Sequence, residues 1–166
     1  MEGYVEARRE IKFVGLRIVA LSTELPFHVP VARDQLLARQ GEIRSVVNPG
    51  VQFGVTHPSE AGPTEDHIVT YIGFEVSEFF EAPAEMRAIL IPAGRYARFE
   101  WRGSFDSEEF EEFYPGIFAW LQDHNLPPRP DSPWVEVYDD ATHDWENKDN
   151  PSNRLSVLIP LAGAGA

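Results

Sequence analysis

The chain has 166 residues, 43% of them hydrophobic, enough for one compact domain with a core of its own. It has no cysteine, which excludes a disulfide framework, a thiolate metal site and a cysteine nucleophile, and its net charge of −13 repels phosphate backbones and favours cations. No apolar run is long enough to span a bilayer, and Met1 to Glu10 lacks the apolar core of a secretory signal, so a reducing, cytoplasmic setting is expected, with no membrane partner.

Tyr4 to Leu21 is rich in strand formers, with Gly15 as a bend or bulge. Leu25 to Pro30 reads as a proline-bounded loop, and Ala32 to Val47 as an amphipathic helix with Leu36, Leu37, Ile43 and Val47 on one face, closed by Asn48-Pro49-Gly50. Val51 to His57 and His67 to Ser77 are strands around an acidic, proline-containing loop from Pro58 to Asp66. The order then repeats. Met86 to Ile91 and Tyr96 to Trp101 are strands, and a helix from Ser107 to His124 is expected to kink or break at Pro115-Gly116. Leu126 to Pro133 connects to the strands Trp134 to Tyr138 and Leu155 to Leu161, which flank a polar loop from Asp139 to Asn153.

The chain therefore reads as an α+β domain over residues 1–162. Two strand–helix–strand–strand repeats, about 1–80 and 83–162, form an antiparallel sheet with two helices on one face and a ligand cleft between the halves. Residues 163–166 form a small, flexible tail that is expected to fray.

Several local patterns resemble the GyrI-like, or AraC-type, effector-binding family. Ile91-Pro92-Ala93-Gly94-Arg95-Tyr96-Ala97-Arg98-Phe99 with Gly103 is similar to the family's "iPAGxYAxF…G". Ile117-Phe118-Ala119-Trp120-Leu121 followed by Trp134-Val135-Glu136-Val137-Tyr138-Asp139 resembles "iyxxWL … xExYd". Tyr71-Ile72-Gly73-Phe74-Glu75-Val76 resembles the mid-chain "YxaGxEV", and Ile159-Pro160-Leu161 the closing "iPi". The resemblance spans nearly the whole chain. It implies a tandem fold with a pseudo-twofold cleft that takes lipophilic, cationic or drug-like molecules, here in a stand-alone member. Some stand-alone members resemble hydrolases that open strained cyclopropane electrophiles.

Glu136 is the sharpest candidate. Strand alternation puts Trp134, Glu136 and Tyr138 on one face and Val135 and Val137 on the other. The valines suit packing against helices, which would leave the Trp-Glu-Tyr face lining the cleft. A carboxylate between aromatic rings suits an organic cation, with charge from the acid and cation–π and dispersion contacts from the rings. The resemblance points to the same glutamate. Trp120, Tyr71, Tyr114, Trp101 and Phe99 complete the candidate ligand-binding set, since all lie on elements next to the expected cleft. Glu75, on the face of Tyr71 and Gly73, reads as an exposed residue or a second anion, and Phe79 and Phe80 as core cover or a lid.

The five histidines lack the spacing of a metal site, and Asp139 to Asp144 lacks the glycine and closing glutamate of an EF-hand. No phosphate loop or nucleophile elbow is present, and neither metal nor cofactor is expected. Three readings stay open. One is capture of a lipophilic cation, for sequestration or for signalling to another protein. Another is hydrolysis of a cyclopropane-type electrophile with Glu136 as the catalytic residue that positions or deprotonates water. The last is inhibition of a basic protein partner by the acidic surface. Direct nucleic-acid binding is not expected.

Overall fold

Apolar residues alternate along most strands, and that alternation sorts them onto two faces of one sheet. The computed structural model describes residues 1–57, 60 and 62–163. The strands and helices in chain order are β1 (Gly3–Arg8), β2 (Ile11–Leu21), α1 (Leu25–Ala38), β3 (Val51–Thr56), β4 (His67–Val76), β5 (Met86–Ile91), β6 (Gly94–Arg102), α2 (Glu108–Glu111), α3 (Phe113–Asp123), β7 (Trp134–Asp139) and β8 (Arg154–Pro160). Among the described residues the strands form one antiparallel sheet of spatial order β1-β6-β8-β7-β3-β4-β2-β5. The unit β2-α1-β3-β4 recurs as β6-α2-α3-β7-β8. The two units join mid-sheet, where β3 pairs with β7 from Val51↔Asp139 to Thr56↔Trp134.

The outer strands cross over between the units: β1 pairs with β6, and β5 with β2. In a flat sheet β1 and β2 would stand six strand spacings apart, about 29 Å. Only Arg9 and Glu10 link them, a reach of about 11 Å, and Pro92 and Ala93 make the same demand between β5 and β6. The sheet must therefore curl until its two ends approach each other. Its inner face holds Ile11, Phe13, Phe53, Val55, Tyr71, Ile89, Tyr96, Val135 and Leu158 from both units, packed as one cluster. The outer face, with Val14, Leu16, Phe74, Phe99, Val157 and Ile159, packs against the helices.

Helix α1 starts earlier and stops sooner than the expected span of Ala32 to Val47, and it includes the expected loop Leu25 to Pro30. Pro26 sits in the first turn, where no intrahelical N–H is needed. Leu25, Val29, Ala32 and Leu36 recur at helical spacing and all pack on the core, so the apolar stripe outweighs the hydrogen bond missing at Pro30. The chain leaves the helix at Arg39, makes a 3-10 turn over Gln40–Glu42 and continues extended at Ile43. The break expected at Pro115 falls at Glu112, and Pro115 lies in the first turn of α3, where its missing N–H costs little. Ser107 caps α2 by accepting from the Phe110 N–H at 3.2 Å. Leu161 is fully buried, whereas residues 164–166 of the expected tail lie outside the described residues.

Candidate functional site

Strands β7 and β3 are the middle pair of the sheet, and Glu136 stands between Gly54 on β3 and Val157 on β8. The alternation expected along β7 holds, but its direction is reversed. Val135 belongs to the cluster inside the curl, while Trp134 and Tyr138 pack with the helix-side cluster. The Trp134–Glu136–Tyr138 face therefore points to the helix side of the sheet, with α3 on one flank and α1 on the other. The correction follows from the curl: the helix-free face closes on itself and is filled by apolar side chains, so the valines belong there.

Around Glu136 the contacts are specific. The Tyr138 hydroxyl donates to its Oε2 at 2.5 Å, and the Tyr114 hydroxyl, from α3, faces the same carboxylate. Burial pushes the Glu136 carboxyl above the usual carboxylate range, and the two hydroxyls act in the opposite direction. Burial, reinforced by the Glu136 charge, pushes both phenols well above their ordinary range, so at neutral pH they remain donors. Among the described residues no arginine, lysine or histidine forms an ion pair with Glu136.

Gly54 makes room for this arrangement. A Cβ there would lie 3.1 Å from Tyr138 Cε2 and from its hydroxyl, and 3.5 Å from Glu136 Cβ. Two residues along β3, Gln52 pairs with Tyr138 and is fully buried; its carbonyl accepts from Arg33 Nε of α1 at 3.1 Å and its amide donates to Asp140 at 3.2 Å.

The loop between β7 and β8 is largely exposed, as its composition suggests, but two of its rings turn inward. Trp145 and His143 fold back onto Tyr138, with ring centroids 5.1 and 5.4 Å from it. Arg33 lies over the Trp145 ring at 4.6 Å and bonds Asp140 at 3.0 Å, tying the loop to α1. On the other flank, Phe105 stacks on His143 at 4.7 Å and its N–H donates to the Lys148 carbonyl at 2.8 Å. The loop is thus a strap from one unit to the other across the end of the seam. Its polar residues satisfy the strap's own backbone: Asp144 accepts from the N–H groups of Glu146 and Asn147, and Asn153 accepts from that of Asp144.

Of the expected site residues, the fold brings together Glu136, Trp134, Tyr138 and Tyr114, with Phe118 against Trp134 at 5.1 Å. It separates the others. Tyr71 lies on the inner face of the curl, its hydroxyl bonded to Glu60 at 2.8 Å and to Arg87 at 3.1 Å. Phe99 is fully buried under α3 with Trp120 edge-on at 5.3 Å, and Trp120 stacks on His124 rather than facing β7. Trp101 packs on Phe110 and Phe113 and lines a separate cavity of about 700 Å³ with Met1, Glu100 and Gly116. A second cavity, of about 390 Å³, lies between Phe118, Leu126 and Pro128, and neither lining includes Glu136. Glu75, on the inner face, accepts two hydrogen bonds from Arg9 at 3.0 Å. Phe79 and Phe80 are exposed, with Arg44 over Phe80. Sequence reasoning missed Gly54, Gln52, Arg33, His143 and Trp145. For the last two the available signal was a pair of large rings within a run rich in Asp, Asn and Glu.

Residues 5–161 match Cass2, the family described as integron-associated effector binding protein. No curated protein matches the chain. Solved structures share the fold over nearly all of it. The structure of SAV2435 bound to tetraphenylphosphonium has a TM-score of 0.71 at 12% identity, covering 98% of this chain and 95% of that one. The EcmrR C-terminal domain has a TM-score of 0.72 at 15% identity, covering 98% of both chains. The integron cassette protein VCH_CASS2, from the mobile metagenome of Vibrio cholerae, has a TM-score of 0.62 at 8% identity, covering 96% and 95%.

Proposed function

The chain belongs to the integron-associated effector binding protein family, and from that premise we propose that its effector is a lipophilic cation, captured on the helix side of the sheet with Glu136 as the anionic anchor. One observation carries the reading: a half-buried carboxylate at mid-sheet has two tyrosine donors and no cationic partner among the described residues. Such a carboxylate is costly to keep ionised, and an organic cation both neutralises it and buries apolar surface. Trp134, Tyr138, Tyr114 and Trp145 supply rings of the kind that bind cations and apolar bodies alike. Arg33 on Trp145 is a resident example of that contact. The phosphonium held by SAV2435, a protein of the same fold, is a ligand of this chemistry.

The test uses two ions of nearly one shape and opposite charge. Tetraphenylphosphonium and tetraphenylborate are titrated separately into the protein, with tryptophan fluorescence as the readout. The phosphonium is expected to bind saturably and to be recovered unchanged, and the borate is expected not to bind. Equal binding of the two ions would overturn the anionic anchor.

A further inference from the structure

Among the described residues one buried side-chain polar atom has no hydrogen-bond partner, the Nδ1 of His143. Buried polar atoms nearly always find a partner, and the exceptions call for an explanation. The imidazole is held firmly. Phe105 stacks on it at 4.7 Å, Trp145 lies against it at 4.1 Å and Tyr138 meets it edge-on at 5.4 Å. A backbone hydrogen bond with Arg154 reaches the same imidazole. Burial and the nearby charge of Arg33 push the imidazole down to about 4, so at neutral pH the ring is uncharged and one of its nitrogens is an acceptor.

Tyr138 connects this nitrogen to Glu136: its ring touches His143 and its hydroxyl bonds the carboxylate. A carboxylate with no cationic partner among the described residues and an imidazole with an unpartnered nitrogen thus adjoin one tyrosine. A fully substituted onium ion offers the carboxylate its charge and the rings its body, but it has nothing to donate to Nδ1. A protonated amine or amidine offers all three. Trp145, against the imidazole, sits on a strap without helix or strand and is secured by Arg33 and by its own indole N–H on Asp140 at 3.2 Å.

We propose that His143 is a specificity-determining residue of the Glu136 site, its Nδ1 accepting a ligand N–H, so that the effector is a lipophilic protonated amine or amidine rather than a fully substituted onium ion. The proposal rests on Glu136 being the cation anchor. Naphthylmethyl-dimethylamine, protonated at pH 7, and naphthylmethyl-trimethylammonium differ at one position, N–H against N–CH₃. Calorimetry on the wild type should show the amine bound more tightly by about 3- to 10-fold, the size of one hydrogen bond. In His143→Phe, which keeps a flat ring for stacking, the ratio should fall to about one. In wild-type protein with ¹⁵N-labelled histidine, the Nδ1 resonance should shift with the amine and not with the trimethylammonium, a readout that does not need the variant to fold. An unchanged ratio in His143→Phe together with an unmoved Nδ1 resonance would overturn the proposal while leaving Glu136 in place. Failure of both cations to bind the wild type would overturn the Glu136 anchor, and this proposal with it.

Discussion

Replacing Glu136 by glutamine should move affinity and stability in opposite directions. The variant keeps a carbonyl oxygen for the Tyr138 hydroxyl, removes the charge and puts an NH2 in place of the second acceptor oxygen. A cation centred about 5 Å from the carboxylate, at an effective dielectric near 20, gains about 3 kcal/mol of attraction. Partial solvent screening brings this to about 1.5–3 kcal/mol, so a phosphonium should bind about 10- to 150-fold more weakly. Stability follows from the sign of the pKa shift. Burial raises the Glu136 carboxyl, so the folded state holds its proton more tightly than the unfolded chain. The stability linked to that proton is full below the ordinary carboxylate pKa and is lost as pH rises through the raised one. At pH 7 the ionised group is a net cost, and Glu136→Gln should melt above the wild type. The difference should disappear when the pH falls below the ordinary carboxylate value. Calorimetric titration with the phosphonium and melting curves at pH 4 and pH 7 supply both numbers. A variant that binds as well as the wild type, or that melts lower at pH 7, would refute the argument. The second result would mean that the tyrosine donors outweigh the cost of burial and that the carboxylate is a structural partner.

Phosphonium affinity of the wild type should fall as pH is lowered, with a midpoint above the ordinary carboxylate range, because binding needs the ionised form of a group that burial raises; a midpoint at or below that range in a pH series of titrations would contradict the environment assigned to Glu136. Gly54→Ala puts a methyl 3.1 Å from the Tyr138 ring, so it should cost about 1–3 kcal/mol of stability by chemical denaturation and several-fold in phosphonium affinity. Leu36→Ala, at a fully buried site under α1, should cost about 2–5 kcal/mol by the same denaturation, and a loss below 1 kcal/mol would contradict the packing of that helix. Duplex DNA should show no gel shift at physiological salt, given the net charge of −13, and a salt-sensitive micromolar shift would contradict that expectation.

Much of the sheet was legible because its strands carry a period of two. Trp134-Val135-Glu136-Val137-Tyr138 sorts itself into two faces without further help. Alternation does not say which face meets the helices. That depended on the curl, which arises from the short links at Arg9-Glu10 and Pro92-Ala93 together with long-range pairing invisible to local pattern. Helix α1 was hidden by Pro26 and Pro30, whose local cost says helix-breaker while the stripe through Leu25, Val29, Ala32 and Leu36 says helix. Tyr71 and Trp120 drew attention as large amphipathic rings, yet only three-dimensional placement tells a ring facing the seam from one on the inner face or the far flank of α3. The strap misled most. Its composition says solvated loop, which most of it is, but the partial burial of His143 and Trp145 follows from contacts with Arg33 and Phe105, far away in sequence.

The central claim is tested most directly by locating the ligand's charge. Crystals grown with tetraphenylarsonium, whose arsenic scatters anomalously, would place the positive centre without reference to the shape of the density. The account predicts one strong anomalous peak within about 6 Å of the Glu136 carboxylate, on the helix side of β7 between α1 and α3. A peak in the Trp101 cavity or beside Phe118 and Pro128, with Glu136 still bonded only to its tyrosines, would contradict it.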